Sequence, residues 1–212
     1  MGTGNDFIIG ADLSYEMVIQ DLGGSYYQNC LTSSASEALQ DQGLNWVRLR
    51  LWHNPANNRH DLAMVSQQAQ DIYDRDLKFL LDIHYSDTWA DPGHQELPEA
   101  WSDLSFESLL DSVRIYTQQI VEFLISQDTP PHMIQLGNEI DNGIMHPHGI
   151  GWDNIASLLM AAEQGVMDAN NGDTPIMMHL ANSCSSQFII NYLNEMESRG
   201  FIPDIIGLSY YP

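Results

Sequence analysis

Positive charge is what this chain most lacks. Its 212 residues hold seven Lys plus Arg against 29 Asp plus Glu, a formal net charge of -22, and Lys78 is the sole lysine. So acidic a surface repels phosphates and anionic lipid, so neither nucleic acid nor membrane is expected as a partner, and a neutral or cationic ligand is favoured. Cysteine is scarce too: Cys30 and Cys184 cannot build a disulfide framework or a zinc cluster, and both are expected to be structural or free. No apolar run reaches the roughly 20 residues of a membrane span. The opening MGTGNDFIIGADLS has no basic n-region and no long apolar h-region, so no signal peptide is expected, and Met1 to Gly4 read as a remnant. The phosphate-binding patterns GxGxxG and GxxxxGK[ST] are missing, as is HExxH, so neither a metal nor an organic cofactor is expected.

What the chain has is a repeated plan. Hydrophobic residues make up 43% of it, enough for one sizeable core in one domain. Apolar runs at Phe7 to Ile9, Trp46 to Trp52, Phe79 to Tyr85, Met133 to Ile140, Ile176 to Leu180 and Ile205 to Tyr211 read as strands; Ser34 to Gln42, Asp61 to Asp76, Ser105 to Ser126, Trp152 to Ala169 and Ser185 to Arg199 read as helices. Ser34 with Glu37 three residues on is a capping-box start, and Gly43 and Gly200 stand where helix-ending glycines belong. Strict alternation of the two element types predicts a parallel sheet.

Two strands carry charge in a regular way. In VRLRLW, Val47, Leu49 and Leu51 face one side and Arg48, Arg50 and Trp52 the other, while Leu80, Asp82, His84 and Ser86 share a side of the next strand. Polar side chains gathered on the inner face, thickening toward the C-terminal strand ends, predict an α/β fold of the (β/α)8 TIM-barrel kind with its site at that end. Such a barrel takes eight units and about 250 residues. Six units are present, so residues 1–212 are expected to form one catalytic barrel domain truncated after the sixth strand, with strands seven and eight missing. Its open edges predict dimerisation or aggregation.

Two stretches concentrate chemistry. In MIQLGNEIDNGIM, Met133 to Met145, an apolar run stops on Asn138 and Glu139 and opens into a polar, glycine-containing loop. A carboxyl at such a strand end, partly walled by apolar groups, has its charged form disfavoured and can donate a proton near neutrality; a surface ion pair is the plainer alternative. In DIHYSDTWADPG, Asp82 to Gly93, one histidine, three carboxylates and two aromatics share a loop. Aromatic faces stack on pyranose rings and carboxylates bind hydroxyls, so a sugar site is the better reading than a metal. Trp89, Trp52 and Trp101 are the stacking candidates, with core packing the alternative for each.

The runs LLDIHYSDTWADPG, LGNEIDNG, VRLRLW and IGLSYYP together resemble the endo-β-1,4-galactanases of glycoside hydrolase family 53, in register from about Gly10 to Pro212. The resemblance implies a (β/α)8 barrel and retaining endo-hydrolysis of β-1,4-galactosidic bonds in galactan or arabinogalactan. It makes Glu139 the general acid/base and Asn138 the partner of the sugar 2-hydroxyl. Arg50 becomes the second-strand arginine that orients the nucleophile; His84, Asp87, Trp89 and Asp91 form the third loop; His179 lines the cleft; Tyr211 stands near the nucleophile; Trp152 and Asn154 are structural. Where the family carries HLDNG, this chain has His179, Leu180, Ala181, Asn182 and Ser183, so Ala181 is expected to cost a hydrogen bond to substrate. The nucleophilic Glu of the seventh strand is expected beyond residue 212, as is the loop in which bacterial relatives hold calcium. A polymeric substrate implies secretion. The alternatives are a catalytically inactive glycan-binding remnant and an unrelated metal-dependent barrel hydrolase.

Overall fold

The alternation VRLRL decides which face of its strand meets the helices. In β4 (Trp46–Leu51), Val47, Leu49 and Leu51 are buried in the helix-facing core, which turns Arg48 and Arg50 to the other side. In β5 (Lys78–Ile83), Phe79, Leu81 and Ile83 join that core and Asp82 turns inward. The computed structural model describes residues 7–170 and 172–211, so the remnant read at Met1 to Gly4, and Pro212, lie outside the described residues.

These two strands form the middle of a parallel sheet with β1 (Gly10–Asp12), β6 (Met133–Leu136), β7 (Ile176–Leu180) and β8 (Ile205–Leu208). Its order is β1-β4-β5-β6-β7-β8, curled and not fully closed, with β1 and β8 unpaired to each other among the described residues. This is the fold expected of a barrel open after its sixth sheet strand. The register sets inward residues in layers: Asp12, Arg48, Leu80 and Met133 are level, and Arg50, Asp82, Gln135 and Met177 lie two residues further along.

The helices start where the sequence offers a cap. Ser34, Asp61, Ser105 and Ser185 each accept a backbone N–H at the first turn of α2 (Ala35–Gln40), α3 (Leu62–Asp74), α4 (Phe106–Ser126) and α6 (Ser186–Glu197). The fifth helix, α5 (Trp152–Asn170), packs closely on α4. Gly165 permits that approach, since a Cβ there would stand 2.4 Å from the Arg114 carbonyl oxygen.

The structure departs from the expected elements at four points, one of them the last strand, which stops at Leu208 rather than Tyr211. Phe7 to Ile9 are exposed, and pairing begins at Gly10, because Asn45 and Trp46 bind the Ile9 carbonyl as a lead-in to the strand. β6 stops at Leu136 rather than Ile140, because Gly137 (φ 79°) and Glu139 (φ 51°) take left-handed backbone. A short helix α1 (Glu16–Asp21) and an antiparallel hairpin of β2 (Tyr26–Gln28) and β3 (Leu31–Ser33) occupy the segment before α2 that the sequence left blank.

Candidate active site

An arginine in an inward layer must find anions, and Arg48 finds several. Its Nη1 donates to Asp12 Oδ2 at 2.6 Å, its Nη2 to Asp82 Oδ2 at 2.7 Å and to Asn138 Oδ1 at 2.9 Å, and its Nε to Gln135 Oε1 at 3.2 Å. Asp82 is fully buried. Burial works against its charge, but Arg48 and His84 outweigh burial and hold the carboxyl below the usual range. Gln135 Nε2 donates to Asp82 Oδ1 at 2.7 Å, and His84 Nε2 lies 2.9 Å from Oδ2. Neither Asp12 nor Gln135 stood out in the sequence. Arg48 and Asp82 were visible as inward charges, but nothing in the sequence showed that they meet.

Asn138 and Glu139 rise from this network at the end of β6. Asn138 is buried; its Nδ2 donates to the Ala90 carbonyl at 2.7 Å, which aims Oδ1 at Arg48 and at His179 Nδ1, 2.9 Å away. Glu139 is half-buried, and its Oε1 accepts from Ser209 Oγ at 2.6 Å. The positive φ of Glu139 is strained for a side chain with a Cβ. The Gln95 amide donates to the carbonyls of Asn138 at 2.8 Å and Glu139 at 3.3 Å, pinning that turn. Ser209 and Gln95 are further site residues that the sequence reading did not single out, Ser209 although it lies within the run IGLSYYP and Gln95 among other polar residues.

Arg50, beside Asp12 at 3.4 Å, sits under Trp89 with its guanidinium 4.3 Å from the ring centre. Its Nε and Nη1 are buried with no hydrogen-bond partner among the described residues. Trp89 is 41% exposed, whereas Trp52 and Trp101 are buried and drop out as stacking platforms. His84 lies beneath the cleft rather than on it, because Trp52 Nε1, the Ala90 amide and Asp82 use both ring nitrogens. Asp87 and Asp91 also turn away. Asp87 accepts from the Asn54 and Glu99 amides, and Asp91 from the Gly93 amide, because tight loops leave amides that need acceptors. Tyr211 is 80% exposed, outside the network. Asp141 accepts from the Ala181 and Asn182 amides, so the Ala181 position is held through its backbone.

The family model described as Glycosyl hydrolase family 53 matches residues 8–212. The chain belongs to that family. Within family 53 it is 36% identical over 214 residues to a probable arabinogalactan endo-beta-1,4-galactanase A of Aspergillus terreus, covering 96% of this chain and 61% of that protein. It is 34% identical to the arabinogalactan endo-beta-1,4-galactanase A of Emericella nidulans, covering 96% of this chain and 60% of that protein. It therefore spans less than two thirds of these relatives. The family 53 catalytic domain of Ignisphaera aggregans aligns over all of this chain and 61% of its own, with a TM-score of 0.93 and 35% identity. A structure of fungal beta-1,4-galactanases aligns over 96% of this chain and 63% of its own, with a TM-score of 0.91 and 32% identity. The open sheet is thus the shared part of a family 53 barrel.

Proposed function

We propose that this chain supplies the proton-donor side of a retaining endo-galactanase, with Glu139 as general acid/base on β-1,4-galactosidic bonds of galactan or arabinogalactan. The observation that carries the reading is the Asn138–Glu139 pair: Asn138 is locked below the cleft while the Glu139 carboxyl stands at its rim on Ser209. The exposed face of Trp89, braced by Arg50, is the platform for a sugar ring, and Asn138 and His179 line the cleft beside it.

A retaining mechanism needs a second carboxyl about 5–5.5 Å from the first. We assign it to the part of the relatives' length that this chain does not span, and we assign the unpartnered Nε and Nη1 of Arg50 as its receiver. Residues 1–212 are then one portion of a single barrel domain. The substrate is a polymer that does not cross membranes, so the working location is extracellular or periplasmic.

The test is Glu139→Gln in the protein extended to include that second carboxyl, assayed on β-1,4-galactan and on an aryl galactoside with a good leaving group. Loss of about 10²–10⁴-fold on the polymer is expected, with far less on the aryl substrate, because only the former needs the proton. Equal loss on both would overturn the acid assignment. Galactan binding without turnover by the unsubstituted extended protein would favour the glycan-binding alternative.

A further inference from the structure

We infer that Ser209 is a two-way hydrogen-bond relay between the Glu139 carboxyl and His179, accommodating that carboxyl in both of its protonation states. The inference rests on the reading of Glu139 as acid/base and adds two positioning residues to it.

The shorter contacts favour one placement of the ring proton. Asn138 Nδ2 points at the Ala90 carbonyl and its Oδ1 takes a donor from Arg48, so Oδ1 faces His179 Nδ1 as an acceptor at 2.9 Å. Two acceptors do not approach to that distance, so Nδ1 carries the ring proton. The Glu139 amide also points at Nδ1, at 3.4 Å, and yields to the shorter contact. Burial above all drives His179 down to about 4, so near neutrality the ring is neutral and Nε2 is a bare acceptor. Arg48, Asp82, Asp141 and His84 are the charged and titratable groups that act on this ring from the neighbouring strands and loop.

Ser209 Oγ lies between two acceptors, 2.6 Å from Glu139 Oε1 and 3.3 Å from His179 Nε2. With Glu139 ionised, the single hydroxyl proton serves the carboxylate. With Glu139 protonated, the carboxyl donates to Oγ and the serine proton turns to Nε2. No covalent bond forms or breaks in this exchange, and both states stay bonded, as a group that gives up and regains a proton each cycle requires.

The experiment is a pH titration of the chain with ¹⁵N-labelled histidine and ¹³C-labelled glutamate side chains, followed by NMR. His179 is expected to show a protonated Nδ1, with its Nε2 resonance shifting at the midpoint of the Glu139 carboxyl. Ser209→Ala is expected to abolish that shift, Ser209→Thr to restore it, and Glu139→Gln to make Nε2 independent of pH above about 5. A proton on Nε2, or an Nε2 signal that follows Glu139 unchanged in Ser209→Ala, would overturn the relay. No turnover is needed, so failure of the galactanase reading shows in the sugar assay and failure of the relay shows here.

Discussion

The middle of the sheet and its margins are built from similar runs of sequence and end in different conditions. β5 and β6 are buried along almost their whole length, while β1 and β8 alternate between half-buried and exposed residues. A strand with a neighbour on each side and helices over one face loses water everywhere, so an inward carboxylate such as Asp82 exists there only with several donors. At the margin, Asp12 shares the same arginine but keeps 28% of its side chain in solvent. Glu139 joins the two regions. Its backbone is held by the middle, through Asn138 and Gln95, while its carboxyl is held by Ser209 just past the end of β8. The aim of the Glu139 carboxyl thus depends on the less well covered half of the molecule.

The sharpest way to break this comparison is to remove each acidic partner of Arg48 in turn. Asp82→Ala removes the fully buried carboxylate that the half-buried Arg48 and the buried His84 share, and is expected to cost about 3–5 kcal/mol. Asp12→Ala removes a partly solvated partner and is expected to cost about 1 kcal/mol. Urea midpoints at an unchanged denaturant slope measure both. Equal losses would mean that the middle and the margin are equally covered in solution.

Most of the middle was legible and most of the margin was not, for reasons of pattern. In β4 the two-residue alternation is long enough to fix which side each side chain takes, so Arg50 was placed correctly from the letters VRLRLW. The partners of Arg48 come from separate strands, and no local period reports which inward residues share a layer. β1 is three residues long and follows an apolar run, Phe7 to Ile9, that looks more like a strand than the strand does. The hairpin turns on Asn29 and Cys30, both at positive φ (50° and 66°), and without the usual glycine its turn is silent in the sequence. The place of Asn138 and Glu139 just past a strand end could be read because an apolar run gives way to them. Asp87 and Asp91 have the chemistry of sugar ligands, and only the loop path shows that their oxygens go to backbone amides.

Acid gives a second, smaller contrast. Asp82 holds its proton less tightly in the folded chain than in the unfolded one, because Arg48 and His84 outweigh burial. Its contribution is therefore full above the ordinary value of 3.8 and is lost as pH falls through the lowered folded value. Each unit of lowering is worth about 1.4 kcal/mol. Asp82→Asn keeps the shape without the charge, so the stability gap between it and the unsubstituted chain is expected to hold above 3.8 and to narrow as pH falls below it. A gap that stays constant below 3.8 as well would remove the charge from the account of the middle and leave packing alone.

The smallest effect belongs to the margin and tests whether it is bare in solution. Tyr211 is 80% exposed, and beside it Ile206 and Leu208 also show apolar surface. Truncating a residue so placed, Tyr211→Ala, is expected to change stability by no more than about 0.5 kcal/mol. An open sheet edge also invites pairing with a second chain, and a ring covered in that way would behave like a buried one. The two situations separate by concentration, since coverage by a second copy is linked to mass action while an exposed ring is indifferent to it. Tyr211→Ala compared with the unsubstituted chain at low and high protein concentration, alongside sedimentation of both, is expected to show no dependence if the margin is bare. A loss above about 1 kcal/mol that grows with concentration would place the margin in a dimer, and would make the seat of Ser209 as firm as that of Asn138.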